Sequence, residues 1–87
     1  SNNIRFATES DYNINRFSKL LKNLNIDHNI EFDGKSFVIT IKKKNLEELK
    51  DSIKIEIMKL LFHNAKPLSQ LSIFPLLRTQ RYHFLDQ

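Results

Sequence analysis

The chain of 87 residues contains no cysteine, no tryptophan, a single glycine and two prolines. Without cysteine it can form neither a disulfide scaffold, nor a Cys-based zinc site, nor a thiol nucleophile. One glycine is too few for the phosphate-binding loops G-x-x-x-x-G-K and G-x-G-x-x-G. No apolar run approaches the ~20 residues that a membrane-spanning helix requires. These absences exclude a disulfide-rich scaffold, a P-loop site and a dinucleotide-binding loop from this chain.

What the chain does contain is a substantial apolar fraction and an excess of positive charge. Apolar residues make up 40% of it, and 14 Lys and Arg stand against 10 Asp and Glu, which gives a net charge of +4. The length suits one domain that buries roughly 60–65% of its unfolded surface. The charge permits contact with nucleic acid or an anionic membrane surface but is too mild to require either.

The first part of the chain has the patterns of a strand followed by a helix. Residues 4–6 alternate apolar and polar side chains and predict a short strand. Residues 8–11 include three good helix-capping residues, and apolar residues then recur every three or four positions. We therefore predict a first helix over residues 10–24. Its buried face would carry Ile14, Phe17, Leu21 and Leu24.

Residues 29–42 alternate in the pattern of a β-hairpin. An Asp33-Gly34 pair lies at the centre, and such pairs supply the positive φ that a tight hairpin turn requires. One face of the two strands would point into the core with Ile30, Phe32, Phe37, Ile39 and Ile41. Sheets that recognise RNA instead display aromatic residues on their outer face.

A second helix is predicted to begin at Asn45, because Glu48 follows three residues later as in a capping box. Its main apolar stripe would contain Leu46, Leu49, Ile53, Ile57 and Leu60. A second stripe, formed by Ile55, Met58 and Phe62, projects roughly opposite. A helix that is apolar on two sides needs two partners. The sheet is one, and the other would be the C-terminal segment, a second copy of the chain, or a different protein.

The predicted order of elements is β-α-β-β-α, followed by a basic, apolar tail. This order predicts an α+β fold of two layers, half-ferredoxin-like, with helices on one face of a three-stranded sheet. The domain would cover residues 1–66, and residues 67–87 would form the C-terminal helical tail, with short helices near 68–73 and 75–84. The tail suits a membrane surface, packing on the second stripe, or a dimer contact.

Candidate catalytic and metal-binding residues are sparse. None of the three histidines has the spacing of a metal site. We interpret His28 as a polar loop residue and His63 as a helix C-terminal residue, where its partial positive charge is favourable. Glu31 and Asp33 would lie on the hydrated outer face of the sheet. The sequence therefore predicts a protein that is not an enzyme, with no catalytic residue, no metal site and no cofactor.

Two groups of residues are candidate binding sites. The first combines the second stripe with the tail and would dock a protein partner or a second copy, including a homodimer that exchanges its C-terminal element. Its residues are Ile55, Met58, Phe62, Phe74, Leu77, Arg78 and Tyr82. The second group is cationic and would bind an anion or nucleic acid through phosphate contacts. Its residues are Lys35, Lys42, Lys43, Lys44, Arg78 and Arg81.

Two short segments resemble motifs of a known family. Residues 21–26, L-K-N-L-N-I, are similar to an L-x-x-x-G-[IV] motif with Asn25 in place of glycine, and residues 62–67, F-H-N-A-K-P, are similar to an F-x-x-N/P turn. With the basic, aromatic segment 73–85 they resemble the N-terminal cytoplasmic domain of bacterial rhomboid intramembrane serine proteases. The resemblance implies a cytoplasmic domain at the inner face of the membrane, with the protease's Ser/His dyad outside this chain.

Two functions therefore stand as hypotheses. The first is a non-catalytic regulatory or protein-interaction domain, membrane-proximal if the rhomboid resemblance holds. The alternative is a small basic protein of a phage or mobile element that binds nucleic acid or inhibits a nucleic-acid enzyme.

Overall fold

The computed structural model describes residues 2–68, which form four strands and three helices. In chain order these are β1 (Asn3–Thr8), α1 (Asp11–Asn23), β2 (His28–Phe32), β3 (Phe37–Lys42), α2 (Lys43–Glu47), α3 (Asp51–Asn64) and β4 (Lys66–Pro67). The strands form one antiparallel sheet in the order β2-β3-β1-β4. The α+β class is confirmed.

The sheet has four strands where the sequence predicted three. The additional strand is β4, in which Lys66 and Pro67 pair with Ala7 and Phe6 of β1. The backbone N–H of Leu68 continues this pairing by donating to the carbonyl oxygen of Arg5 at 2.9 Å. Two residues of the predicted tail thus contact β1 directly. The tail helices predicted near residues 68–73 and 75–84 lie outside the described residues, apart from Leu68.

The first helix has the predicted bounds to within one residue, and both of its ends are capped. At the start, Ser10 Oγ accepts a hydrogen bond from the Asn13 backbone N–H at 3.1 Å. At the end, Asn25 adopts a left-handed φ of 58°. The Ile26 N–H then donates to the Leu21 carbonyl at 2.8 Å, as in a Schellman motif. Asn25 therefore takes a conformation that glycine adopts most readily.

The predicted second helix is two helices, and its predicted N-cap is wrong. Helix α2 begins directly after β3, where the Lys43 N–H donates to the Asn2 carbonyl at 2.8 Å, so Asn45 lies inside it. The buried ammonium of Lys54, 3% exposed, lies between the two helices. It is 3.2 Å from Asp51 at the start of α3 and donates to the carbonyl of Glu47, the last residue of α2, at 3.4 Å. A buried charge requires such partners, and these join α2 to α3.

One hydrophobic core lies between the helices and the inner face of the sheet. The register of β1 and β3 places Ile4 opposite Ile41 and Phe6 opposite Ile39, and all four are buried. The helices complete the core with Ile14, Phe17, Leu21, Leu46, Ile57, Met58 and Leu61. They pack chiefly against β1 and β3. Strand β2, at the end of the sheet, is the most exposed of the three longer strands.

Candidate interaction site

The hairpin turn fixes the position of β2 beside β3. The Asp33 N–H donates to the Ser36 carbonyl at 3.1 Å, and Gly34 has a φ of 93°. The Asp33 carboxylate accepts the backbone N–H groups of Ser36 at 2.7 Å and of Lys35 at 3.0 Å. These two hydrogen bonds, with that from Ser36 the larger cause, lower the pKa of the Asp33 carboxyl below its ordinary value of 3.8. The charged carboxylate therefore closes the turn that holds β2 in register.

Within residues 2–68, β2 has one open edge. Successive residues of an antiparallel strand direct their main-chain groups alternately to the paired strand and away from it. The hydrogen-bonded pair of Asp33 and Ser36 sets this alternation for the whole hairpin. It follows that three residues direct their N–H and C=O groups to the open edge: His28, Ile30 and Phe32.

Apolar side chains accompany these main-chain groups. The side chain of Ile30 is 38% exposed and that of Phe32 is 58% exposed. Both residues share the inner face with Ile39 and Phe37, as predicted, but the prediction that they enter the core is wrong for both. The helices cover β1 and β3 rather than β2. The ring of Phe32 therefore contacts the neighbouring ring of Phe37 on this face, with 4.8 Å between the ring centroids, and the rest of its surface is exposed to solvent.

The two edges of the sheet differ in how they are protected. Natural sheets block their edges with short strands, proline or lysine, which prevent pairing with another strand. The β4 edge has two residues, one of them Pro67, which lacks an N–H group. The β2 edge has five residues, His28–Phe32, and includes neither proline nor lysine. Of these two edges, the β2 edge is the one open to a further strand.

His28 anchors the start of β2 to α1. Its Nδ1 lies 2.9 Å from the Ile26 carbonyl oxygen, and its Nε2 lies 3.0 Å from Ser18 Oγ. A carbonyl only accepts hydrogen bonds, so Nδ1 carries the proton, and in the neutral ring Nε2 accepts from the Ser18 hydroxyl. His28 belongs to β2 and is half-buried, whereas we had interpreted it as a loop residue. The ring braces the strand against the helix.

The structure separates the residues of the predicted second stripe. Met58 is fully buried in the core, so its assignment to a partner surface is wrong for this structure. The buried residues of α3 are Lys54, Ile57, Met58 and Leu61, so the core-facing side of this helix lies between the two predicted stripes and includes Met58. Phe62 is partly buried and packs its ring edge against Phe6, with centroids 5.0 Å apart and planes at 86°. Ile55 is also partly buried against the core. The remaining predicted partner residues lie outside the described residues: Phe74, Leu77, Arg78 and Tyr82.

The predicted cationic group does not form one patch. Lys42, Lys43 and Lys44 line a cavity of about 400 Å³ together with Asn2, Asn3 and Glu47. Lys35 lies in the hairpin turn, at the opposite end of β3. The six residues of β3 span about 17 Å, so Lys35 is too far away to contact the same phosphate group. Arg78 and Arg81 lie outside the described residues.

The β2 edge, as a candidate binding site, was not predicted from the sequence. An edge is defined by strand order, which here depends on the long-range pairing of β1 with β3. The local signal was the composition of residues 28–32. They include the apolar residues Ile30 and Phe32 but neither proline nor lysine, the residues that usually protect an edge strand. Buried Lys54 was also missed, because lysine in a helix ordinarily indicates a hydrated face.

Residues 2–68 contain no group of three His, Asp or Glu side chains arranged to hold a metal ion. No helix in this same part of the chain has both the length and the apolar character needed to cross a bilayer. Comparison of the chain with protein-family models, curated proteins and solved structures finds no match.

Proposed function

We propose that this chain is a non-catalytic protein-interaction domain whose docking element is β2. The observation that carries the proposal is the open edge of β2, where main-chain donors and acceptors lie beside the exposed side chains of Ile30 and Phe32. An extended segment of a partner adds to this edge as a further strand. In strand addition the main chain supplies hydrogen bonds, and the side chains of alternate residues supply specificity.

The magnitudes favour reversible binding. Each main-chain hydrogen bond contributes about 0.5–1.5 kcal/mol net. A phenylalanine side chain has about 150–250 Å² to bury, so covering the exposed 58% of Phe32 contributes on the order of 2–4 kcal/mol. The translational and rotational freedom that is lost on association opposes binding by at least about 4 kcal/mol. Such a balance is typical of a regulatory contact that forms and dissociates.

A photo-crosslinking amino acid at position 32 tests this function in living cells. Position 12 is the matched control, because Tyr12 is an aromatic residue 71% exposed on α1. We expect discrete crosslinked products from position 32 that are absent from position 12. Adding Ile30→Pro to the chain should abolish them, because proline removes an outward N–H group without removing a hydrogen bond to β3. Products of equal yield from both positions, or products insensitive to I30P, would overturn the proposal.

The regulatory and membrane-proximal setting is a further part of the proposal. It rests on the rhomboid resemblance at residues 21–26 and 62–67, and what supports it is that Asn25 adopts the φ that glycine favours at the corresponding position of the motif. In this setting the domain lies in the cytoplasm at the inner face of the membrane. The test is the reading frame from which the chain comes. A downstream series of apolar spans with a G-x-S-G motif is expected, and a frame without them would refute this setting.

Anion or nucleic-acid binding is a second candidate, favoured by the three lysines that line one cavity. We propose that Lys42, Lys43 and Lys44 would contact phosphate groups there. Binding to a duplex DNA or RNA oligonucleotide should then fall steeply with salt and weaken in the triple variant K42Q/K43Q/K44Q. The matched comparison is between the single variants Lys43→Gln and Lys35→Gln, which remove one charge each, since Lys35 lies at the far end of β3. Equal loss in both variants, or no binding at low salt, would refute this candidate.

A further inference from the structure

We propose that the strand added to β2 is the β2 strand of a second copy of this chain, related by a two-fold axis. This inference rests on the proposed function and names the partner of the same site. The two sheets would join through their open edges into one continuous antiparallel sheet. The occupant is identified by the self-complementarity of β2 in hydrogen bonding and in its apolar side chains.

The positions of the outward main-chain groups select one register. Only His28, Ile30 and Phe32 direct their N–H and C=O groups outward, so these residues must face one another across the axis. With the axis at Ile30, both Ile30 residues pair with each other and His28 pairs with Phe32 of the second copy. This register makes six main-chain hydrogen bonds. Moving the axis by one residue, to Asn29 or Glu31, leaves four.

The side chains favour the same register. With the axis at Ile30, the two Ile30 side chains meet, and Phe32 meets the His28 ring of the second copy. On the outer face Glu31 meets Asn29. With the axis at Glu31, two carboxylates would lie directly opposite each other, which destabilises a strand pair. The selected register thus combines the larger number of hydrogen bonds with apolar contact at its centre and no facing charges within the strand.

One pair of like charges remains at each end of the interface. The selected register brings Asp27 opposite Asp33 of the second copy, and both residues are exposed. The carboxylate of Asp33 is directed into its own turn, where it accepts two backbone N–H groups. Their repulsion is therefore exerted across solvent and is screened by salt. Association should consequently strengthen with added salt, whereas association driven by opposite charges would weaken.

Disulfide trapping tests the register directly, because the chain has no native thiol. In the I30C variant the two new cysteines face each other with Cα atoms about 5.5 Å apart, inside the roughly 4.4–6.8 Å that a disulfide spans. Under mild oxidation we expect the covalent dimer to form at least about tenfold faster than in Y12C, whose cysteine is also highly exposed. Equal rates in the two variants would overturn the proposal.

Sedimentation of the intact chain gives an independent measurement. From micromolar to millimolar concentration the mass should rise from 10.4 kDa toward twice that value. I30P should weaken association by about tenfold or more, since it removes two hydrogen bonds from each dimer. D27N should strengthen it severalfold by removing the repulsion with Asp33. A constant mass of 10.4 kDa, or a dimer insensitive to I30P, would refute this inference.

The docking function of β2 and its pairing with a second copy can be refuted separately. If I30C gives no faster dimer than Y12C, but the crosslinker at position 32 captures a different protein in an Ile30-dependent manner, the self-pairing is wrong and the docking function stands. If position 32 gives no Ile30-dependent product of any mass, both are wrong.

Discussion

Replacement of Phe6 and Phe62 by leucine, singly and together, determines whether Phe62 belongs to the core or to a partner surface. The sequence assigned Phe62 to the second stripe, whereas the structure packs its ring edge-on against Phe6 at 5.0 Å. Phe6 is 1% exposed. If the pair is part of the core, each single substitution should lower the free energy of unfolding, and the two effects should not be additive.

The expected magnitudes follow from the geometry. An edge-to-face aromatic pair contributes about 0.5–1.5 kcal/mol beyond the area that it buries, and this is the coupling energy expected from the double-mutant cycle. Each single substitution should cost about 1–3 kcal/mol. A domain of this size has about 4–13 kcal/mol of total stability, so the single variants and the double variant should all retain enough stability for the cycle to be measured. Each 1 kcal/mol lost should lower Tm by about 4–8 °C.

Urea denaturation followed by circular dichroism measures these values at low protein concentration, where association does not contribute. A coupling energy of zero would refute the core assignment. So would a Phe62→Leu variant with unchanged stability but weakened association, because a residue at an interface affects binding rather than the folding of the isolated chain. Retention of the urea m-value would verify that the variants bury the same surface on folding.

Three further predictions concern the contact of α1 with His28, the C-terminal end of α1, and the hairpin turn. Ser18→Ala removes the hydrogen bond to His28 and should cost about 1 kcal/mol in urea denaturation; an unchanged midpoint would contradict the proposed brace. Asn25→Gly should raise Tm, and Asn25→Val should lower stability by about 1–2 kcal/mol, because a left-handed φ disfavours branched side chains. Asp33→Asn should destabilise the domain at neutral pH. Since folding lowers the Asp33 pKa below 3.8, the stabilisation is present above that value and is lost as the pH falls through the folded pKa, so the wild type and D33N should converge in acid.

Local sequence signals predicted the elements that are determined by neighbouring residues. The turn at Asp33-Gly34 was predicted because the positive φ of Gly34 restricts the residues that can occupy it. The start of α1 near residue 10 was predicted from the three capping residues among positions 8–11, and in the structure Ser10 is the one that accepts a hydrogen bond, from the Asn13 N–H. Both signals act over four residues or fewer, and both are confirmed in the structure.

The errors arose where a distant contact overrides the local pattern. Asn45 and Glu48 have the spacing of a capping box, but pairing of β1 with β3 brings Asn2 next to Lys43, and the helix begins there instead. At the interruption after Glu47, the Glu47 carbonyl accepts a hydrogen bond from the buried ammonium of Lys54, seven residues later. Met58 was assigned to the wrong side because the core-facing side of α3 lies between the two stripes that were predicted for it.

The apolar residues that the core does not use lie on β2 more than on the helices, and this supports the proposed docking at β2. We inferred a partner from two apolar stripes on one helix, but the inward-facing Met58 and the Phe6–Phe62 contact use much of the second stripe within the monomer. Ile30 and Phe32 were assigned to the core, yet their strand extends the sheet beyond the helices and leaves them exposed. Within residues 2–68 the sheet is wider than its helical layer, so one end of its inner face is uncovered. Because the same strand has open main-chain groups, covering that face with a further strand satisfies both its apolar surface and its hydrogen bonds.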